Sequence, residues 1–260
     1  MSTAELHVGV SEGVARIVVA NAARRNALTV ALKHQLIDAF NALDIDPRVR
    51  CIVLAGEGTA SFISGADMSE FESLRGDAAG EAAYVKTSAA AIAAPANAAR
   101  PVIASIRGAC AGGGLQLAVA CDVRIAASDA YFIMPAARLG AAYPFEAISL
   151  FVSLLGRGRT ADLFMSGRRV MAQEALDLGL VNQVVPPGEL DEAVTRYASD
   201  IAANAPLTLR LIKESLRALS GTVGAPGSVT RLFADCSASE DLVEGRKAFM
   251  EKRKPVFKGR

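Results

Sequence analysis

Two glycine-containing segments offer the clearest chemistry in this sequence, because each can present backbone N–H groups to a ligand. The first, residues 61–68, follows a predicted strand and turn. The second, residues 108–114, lies between a predicted strand and a predicted helix. Glycine allows sharp turns and close approach to a ligand, and the start of a helix has free N–H groups and a positive dipole end. The segments predict either an anion site or tight packing of a helix on a strand.

Several other kinds of catalytic site are disfavoured by what the sequence lacks. The two histidines, His7 and His34, follow no turn motif, which argues against a Ser-His-Asp hydrolase. The chain has no clustered zinc ligands and no GxxxxGK[ST] loop. The second glycine segment lies in mid-chain with no YxxxK after it, which argues against a nicotinamide cofactor. We therefore expect no metal, and catalysis by carboxylates, tyrosine or backbone dipoles.

Composition indicates an ordinary globular protein. The 260 residues are 52% apolar and 21% charged with a net charge of +1, which fits one domain with a large core and disfavours nucleic-acid binding. No apolar run reaches about 18 residues, and residues 1–20 do not resemble a signal peptide. The four cysteines are scattered, as in a reducing compartment. We expect a soluble cytoplasmic protein that binds neither nucleic acid nor membrane.

The elements that must position the glycine segments follow a repeating order. Residues 6–10 and 14–20 predict a β-hairpin around a turn at 11–13, and Thr29 can cap the next helix. Buried strands are predicted at 51–55, 102–106 and 123–126. A cycle of strand, turn and helix of about 50 residues therefore predicts an α/β fold with stacked units.

The C-terminal third is predicted to be mainly helical. We assign residues 1–200 to an α/β core and 201–260 to a helical part of the same domain, which covers the core or mediates oligomerisation. Apolar spacing after residue 147 predicts helices at 147–155, 159–165, 172–178, 189–204, 206–219 and 228–250.

Short motifs occur along the chain, none of them specific alone. They are Asn26-Ala27-Leu28, Phe62-x-Ser64-Gly65-Ala66-Asp67-Met68, Arg100-Pro101-Val102-Ile103-Ala104, Ala111-Gly112-Gly113-Gly114 and Cys121-Asp122, then Ser166-Gly167, Ala172-x-x-Ala175-x-x-Leu178-Gly179-Leu180-Val181 and Glu244-Gly245-x-x-Ala248-Phe249-x-Glu251-Lys252-Arg253. In this order the chain resembles the crotonase superfamily, the enoyl-CoA hydratases and isomerases, from about residue 14 to 258. The resemblance implies an α/β spiral of repeated ββα units with a helical C-terminal oligomerisation region.

The same resemblance implies a mechanism. Family members bind acyl-CoA thioesters and hold an enolate on the thioester oxygen with two backbone N–H groups, here those of Ala66 and Gly113. Such donors can be worth about 3–4 kcal/mol each. Coenzyme A then belongs to the substrate, no cofactor is bound permanently, and the protein is a homotrimer or a dimer of trimers. The implied CoA contacts are Arg25, Ala27, Ser64, Ala66, Asp67 and Met68, with Phe257 and Lys258 approaching from a neighbouring subunit.

The sequence departs from the family's hydratases at two positions. These enzymes use two glutamates to hold and activate a water molecule, and the matching positions here are Gln116 and Ala136. Neither side chain exchanges a proton as a carboxylate does. We therefore expect hydratase activity to be very weak.

Tyr143 and Glu146 remain as acid–base candidates. Isomerases of the superfamily often carry one acid in this segment, which favours Glu146 as the base of a double-bond shift, although it can equally be a glutamate favoured by a helix dipole. A decarboxylase branch has tyrosine three residues after the glycine that matches Gly140, so Tyr143 either serves decarboxylation of a malonyl-type CoA or lines the pocket. Glu70 and Glu72 are the next candidates. We expect isomerase-type chemistry; the alternatives are the decarboxylase and a catalytically inactive CoA-binding protein.

Overall fold

Two β-sheets form the centre of the protein, whose computed structural model describes residues 4–70, 78–220 and 226–260. The strands are β1 (Glu5–Ser11), β2 (Val14–Ala20), β3 (Cys51–Gly56), β4 (Ser61–Ile63), β5 (Val102–Ile106), β6 (Ala109–Ala111), β7 (Val123–Ala127), β8 (Tyr131–Ile133), β9 (Arg169–Met171) and β10 (Gln183–Val185). The larger sheet has the order β1-β2-β3-β5-β7-β10 and the smaller one β4-β6-β8-β9. Only the pairs β1–β2 and β8–β9 of these two sheets are antiparallel.

Three successive segments each give one strand to the larger sheet, one to the smaller sheet, and then a helix. The helices of the described ranges are α1 (Val30–Ile45), α2 (Ala78–Asn97), α3 (Gly113–Ala120), α4 (Ala136–Leu139), α5 (Phe145–Ser166), α6 (Ala172–Leu178), α7 (Leu190–Ala202), α8 (Pro206–Leu219), α9 (Pro226–Ser237) and α10 (Glu240–Met250). The three units are β3-β4-α2, β5-β6-α3 and β7-β8-α4. The predicted α/β fold of repeated ββα units is therefore confirmed.

The core lies on both faces of the larger sheet. Alternate residues of β3 point to opposite faces, so that Cys51 and Val53 pack with α7. Ile52 and Leu54 pack with α1 and the smaller sheet. Strands covered on both faces need continuous apolar runs, which explains the wholly buried sequence of β5.

The N-terminal elements agree with the sequence prediction. Glu12 and Gly13 connect β1 to β2, and both have positive φ values of 50° and 81°, as the favoured two-residue hairpin turn requires. The hydroxyl of Thr29 accepts a hydrogen bond of 3.1 Å from Leu32 N and caps α1. Both the hairpin and the cap are confirmed.

The helices of the C-terminal third agree in part with the ranges predicted from the sequence. Helices α6 and α8 match the predicted ranges 172–178 and 206–219. The predicted helices 147–155 and 159–165 are joined in α5, which Gly156 interrupts with φ 75° and ψ 165°. The prediction of one helix over 228–250 is wrong, because Ser239 accepts a hydrogen bond from Leu242 N and begins a new helix.

Helix α8 is held to the core by a buried ammonium group. Lys213 Nζ donates to Asp122 Oδ2 at 2.8 Å and to the carbonyl oxygens of Pro95 and Arg100 at 2.8 and 2.9 Å. Asp122 also accepts a hydrogen bond from Val102 N. Its carboxylate therefore joins α8 to β5. The division of the domain into an α/β core, residues 1–200, and a helical part, residues 201–260, stays a prediction.

None of the described helices is long and apolar enough to cross a bilayer.

Candidate functional site

The site is built at one edge of the smaller sheet. Strands β4, β6 and β8 are parallel, so their carboxyl ends lie at the same edge. The first glycine loop, residues 64–68, follows β4, and the second glycine loop, residues 112–114, follows β6. Gly112 N donates to Ile133 O at 3.0 Å and joins the second loop to the end of β8. The topology therefore brings both loops and the segment after β8 together.

The two glycine loops touch each other through their backbones. A methyl group built on Gly65 would lie 3.6 Å from Gly113 N and 3.3 Å from Ala111 O. One built on Gly113 would lie 4.0 Å from Ala66 N. Gly65 has φ +111°, a conformation that favours glycine. Ala66 N and Gly113 N, predicted to act together, therefore lie beside each other.

These two N–H groups are available to a ligand. Leu28 N donates to Gly65 O at 2.8 Å and Asp67 N donates to Leu28 O at 3.0 Å, which turns the Ala66 N–H away from this pairing. Gly113 is the first residue of α3, so its N–H has no acceptor within the helix. Neither N–H has a backbone hydrogen bond within the described ranges. Together they form a two-donor site at the positive end of a helix.

Gly114 sets how closely α3 approaches β4. A methyl group at this position would lie 2.1 Å from Ile63 O, well inside van der Waals contact. No residue with a side chain fits without moving the helix. The third glycine of the triplet therefore positions the second loop.

Asp67 anchors the first glycine loop. Its buried carboxylate accepts hydrogen bonds from Arg24 Nη1 at 2.8 and 2.9 Å and from Ser69 N and Oγ at 3.0 and 2.8 Å. Burial raises the pKa of this carboxyl, but the hydrogen bonds from Ser69 and Arg24 outweigh it, and the pKa lies below its usual value. Asp67 therefore remains ionised, and its oxygens are engaged within the protein.

The predicted CoA contacts of the N-terminal half surround this anchor. Ser64 N donates to Arg25 O at 3.2 Å, which puts the first loop beside the segment around Arg25. Arg25 is exposed, Met68 is 59% exposed, and Ala27 is buried. The structure therefore gathers Arg25, Ser64 and Met68 near the two N–H groups, with both long side chains open to solvent.

Phe257 and Lys258 lie in a different part of the chain. Phe257 O accepts a hydrogen bond from Arg50 Nη2 at 3.1 Å, and Lys258 N donates to Asp241 Oδ1 at 2.7 Å. The Phe257 ring lies next to Gly245 of α10. No described hydrogen bond joins either residue to the glycine loops of the same chain, so their contact with CoA stays a prediction.

Tyr143 reaches the second glycine loop. Its hydroxyl oxygen would lie 3.6 Å from a methyl group built on Gly112. Its ring packs edge-on against Phe164 at a centroid distance of 5.6 Å. Burial raises the pKa of the phenol, and the nearby Tyr84 raises it further. Tyr143 therefore stays protonated at neutral pH and can donate a proton beside the two-donor site.

The surroundings of Glu146 and Glu70, two of the carboxylates predicted as bases, differ from those of Tyr143. Glu146 lies in the first turn of α5 and is exposed. Glu70 Oε2 accepts a hydrogen bond of 2.9 Å from Val30 N, so this carboxylate caps α1. Glu72 lies outside the described residues. The role of Glu146 as a base stays a prediction.

The two positions predicted to match the hydratase glutamates are both buried. Gln116, on α3, is 4% exposed, and Ala136, at the start of α4, is 7% exposed. Among the described residues, Gln116 Nε2 is buried without a hydrogen-bond partner. An amide and a methyl group therefore occupy the two positions where the resemblance predicts a pair of carboxylates, and weak hydratase activity stays a prediction.

Arg24 and Asn26 support the site, although the sequence analysis assigned neither of them a role. Arg24 is the partner of Asp67, 43 positions away, and no sequence spacing signals that pair. Asn26 Nδ2 donates to the carbonyl oxygens of Glu57 and Ser61, which ties the segment before α1 to β4.

In residues 4–70, 78–220 and 226–260, no three His, Cys, Asp or Glu side chains gather as metal ligands.

Comparison with known proteins extends the similarity over the whole chain. The model of the enoyl-CoA hydratase/isomerase family matches residues 9–260. A short-chain-enoyl-CoA hydratase of Clostridium acetobutylicum is 31% identical over 252 residues, covering 94% of both chains. The structure of an enoyl-CoA hydratase/carnithine racemase from Magnetospirillum magneticum is 31% identical with a TM-score of 0.93, over 100% of this chain and 97% of that one. An enoyl-CoA hydratase from Bacillus anthracis has a TM-score of 0.89 at 30% identity, over 98% and 99%.

Proposed function

The chain belongs to the enoyl-CoA hydratase/isomerase family, and from this premise we propose that it stabilises a thioester enolate between the amides of Ala66 and Gly113. The contact between the glycine loops carries this proposal, because it brings two N–H groups without backbone partners to one point. An enolate concentrates negative charge on oxygen as it forms. Donors already oriented toward that oxygen lower the barrier without further reorganisation.

The proposed position of the thioester also indicates which residues contact the coenzyme A part of the substrate. Coenzyme A enters as part of the thioester, and Arg25, Ala27, Ser64 and Met68 are the proposed contacts for it. The exposed guanidinium of Arg25 suits a phosphate group, and Met68 offers an apolar surface to the adenine or pantetheine part.

Decarboxylation of a malonyl-type acyl-CoA is the reaction that the geometry supports best. The bond between the α-carbon and the carboxylate breaks, its electron pair enters the enolate, and CO₂ leaves. Tyr143 then gives its proton to the α-carbon, and water reprotonates the phenolate. The position of the Tyr143 hydroxyl beside Gly112 supports this step, because the phenol is protonated at neutral pH and holds a proton next to the two-donor site.

Isomerase-type migration of a double bond is the second candidate. It requires a base that removes a proton and returns it one allylic position away. Glu146, three residues after Tyr143, is the proposed base, and its exposed carboxylate would have to be covered by substrate or by a neighbouring subunit. The names of the relatives refer to hydratases, but the residue types at 116 and 136 speak against efficient hydration here.

One set of incubations separates these reactions. The purified protein is mixed with methylmalonyl-CoA, 3-enoyl-CoA and crotonyl-CoA, and products are identified by mass spectrometry. We expect loss of CO₂ from methylmalonyl-CoA. A shifted double bond as the only product would favour the isomerase, and rapid hydration of crotonyl-CoA would contradict our interpretation of Gln116 and Ala136.

Exchange of hydrogen for deuterium at the acyl α-carbon tests the shared intermediate. An isomerase, which has a base, incorporates deuterium from heavy water into a saturated acyl-CoA, whereas a decarboxylase takes up deuterium at the α-carbon of its product when the enolate is protonated. A protein that binds acyl-CoA without exchange and without any product would be the inactive CoA-binding protein.

A further inference from the structure

Arg124 carries a guanidinium group that is buried at the end of α3 opposite to the two-donor site. Its side chain is 3% exposed. Nη1 donates to the carbonyl oxygens of Ala118 and Cys121 at 3.3 and 2.6 Å, and Nε donates to Leu180 O at 2.8 Å. Nη2 lies 3.5 Å from Asn182 Oδ1. In the described part of the chain, all of these acceptors are uncharged, so neutral oxygen atoms hold a full positive charge inside the protein.

The ionisable groups around this guanidinium do not cancel its charge. Arg124 keeps its proton, because arginine stays protonated in proteins even where burial lowers its pKa. Asp122 lies two positions before it, but Asp122 Oδ2 accepts a hydrogen bond of 2.8 Å from Lys213 Nζ. Burial raises the pKa of the nearby thiols of Cys110 and Cys121, so both are neutral at pH 7. Two cations and one carboxylate therefore leave this cluster with one net positive charge.

Helix α3 connects this charge to the two-donor site. Its eight residues rise about 12 Å, and Gly113, whose N–H belongs to that site, is the first of them. Residues 114–120 are buried, so solvent screens little of the interaction along the helix. The last carbonyl oxygens carry the negative pole of the helix dipole, which partly opposes an anion at the other end. By donating to Ala118 O and Cys121 O, Arg124 offsets that negative pole.

We propose that Arg124 acts on the enolate through α3, as a positioning residue whose charge adds to the stabilisation of an anion at Gly113 N. This inference rests on the enolate site proposed above and assigns a residue that supports it from a distance. Two unit charges 12–15 Å apart change an equilibrium about five- to tenfold at the effective dielectric constant of a protein. Arg124 therefore favours the negatively charged enolate over the neutral thioester.

The test measures the acidity of acetoacetyl-CoA bound to the protein. This 1,3-dicarbonyl thioester forms an enolate that absorbs in the near ultraviolet, so a pH titration of the absorbance gives the apparent pKa of the bound ligand. Arg124→Met removes the charge, and we expect this apparent pKa to rise by about 0.7–1 unit. Arg124→Lys keeps the charge and is expected to restore most of the difference. Kd for butyryl-CoA, which binds as a neutral thioester, should change less than about twofold in both variants.

A second pair of variants leaves the guanidinium and its hydrogen bonds in place. Cys121→Asp puts a carboxylate close to Arg124 and cancels its charge, and Cys121→Asn is the matched control of the same shape without charge. We expect the apparent pKa of bound acetoacetyl-CoA to be about 0.5 unit or more higher in Cys121→Asp than in Cys121→Asn. This comparison tests the proposal even if Arg124→Met does not fold.

The surface control is Arg196→Met on α7, where the arginine side chain is 65% exposed and pairs with Glu192. It is expected to leave the apparent pKa and both Kd values unchanged. An unchanged apparent pKa in Arg124→Met, an equal rise in Arg124→Lys, or equal values in the two Cys121 variants would overturn the proposal. If the unmodified protein binds acetoacetyl-CoA without lowering its pKa, the enolate site itself is wrong.

Discussion

Tyr143 and Glu146 are close in the chain, but their side chains have different surroundings. The phenol is half-buried against Phe164 and next to Gly112, whereas the carboxylate is exposed on the first turn of α5. A group that transfers a proton must come within hydrogen-bond distance of the reacting carbon or of a water molecule beside it. In this chain Tyr143 meets that condition more readily.

The first prediction compares conservative variants of these two residues. Tyr143→Phe keeps the packing against Phe164 and removes the acidic hydrogen, so we expect a loss of about 10²–10⁴-fold in decarboxylation rate with little change in acyl-CoA affinity. Glu146→Gln is expected to stay within about tenfold of the unmodified protein. Initial rates and binding titrations give both values. The reverse order of effects would support Glu146 as the base of a double-bond shift.

The second prediction concerns the close approach at Gly114. In Gly114→Ala the new methyl group would overlap Ile63 O, so we expect the free energy of unfolding to fall by about 3 kcal/mol or more. Denaturant titration measures this loss. Gly158→Ala is the control, because that glycine lies in α5 with no atom within 4 Å of the added methyl group. It is expected to be neutral or slightly stabilising, and equal losses in both variants would contradict the account.

At the scale of residues, the sequence predicted the two backbone donors but not the side-chain contacts that surround them. The glycine motifs left open an anion site or tight packing, the resemblance to the crotonase superfamily implied Ala66 and Gly113 as donors, and the structure places their N–H groups together. The Arg24–Asp67 pair and the unpaired amide of Gln116 depend on tertiary contacts between distant segments. A local pattern carries no information about such contacts.

At the scale of elements, the first glycine loop depends on one ionised side chain. Asp67 receives hydrogen bonds from Ser69 and Arg24 that lower its pKa below 3.8 despite its burial. A carboxyl whose pKa is lower in the folded state stabilises the fold above its unfolded pKa. That contribution is lost as the pH falls through the folded pKa.

The third prediction follows from this dependence. Asp67→Asn is expected to lower the free energy of unfolding by about 1–2 kcal/mol at pH 7, a figure kept small because Arg24 is half-exposed. The deficit should shrink as the pH falls below 3.8. Urea unfolding at pH 7 and pH 3 measures it. Asp200→Asn, at an exposed position of α7, is the control, and a deficit independent of pH would contradict the role of the charge.

Element boundaries were predictable where side-chain patterns are long. Helix α8 follows from an amphipathic pattern over fourteen residues. Strands β9 and β10 have three residues each, too few for an alternating pattern to be distinguished. The break between α9 and α10 depends on the cap by Ser239, which apolar spacing alone does not reveal.

At the scale of the whole molecule, the C-terminal helices expose large apolar side chains. Leu219, Phe249 and Met250 are 84%, 81% and 80% exposed in the single chain. Extensive exposed apolar surface is typical of sites where proteins associate. Phe257 and Lys258, the predicted CoA contacts that no described hydrogen bond joins to the glycine loops, lie beside helix α10.

The fourth prediction is therefore a homotrimer or a dimer of trimers in solution. Light scattering should give a mass near three or six times 27.0 kDa. Phe249→Lys puts a charge into the exposed apolar surface and is expected to shift the mass toward the monomer. A stable monomer of the unmodified protein at working concentration would contradict both the assembly and a CoA contact supplied by a neighbouring subunit.

The two-donor site consists of main-chain groups, and this has a consequence for how such an enzyme can diverge. Only proline lacks a backbone N–H, so most replacements at Ala66 leave the donor itself in place. Gly113 also has room, because an added methyl group would meet nothing closer than 3.9 Å. The proposed pair of anion-stabilising N–H groups therefore tolerates most substitutions, whereas the side chains at positions 116, 136 and 143 can change one at a time. A lineage can exchange one reaction for another and keep a functional intermediate-binding site at every step.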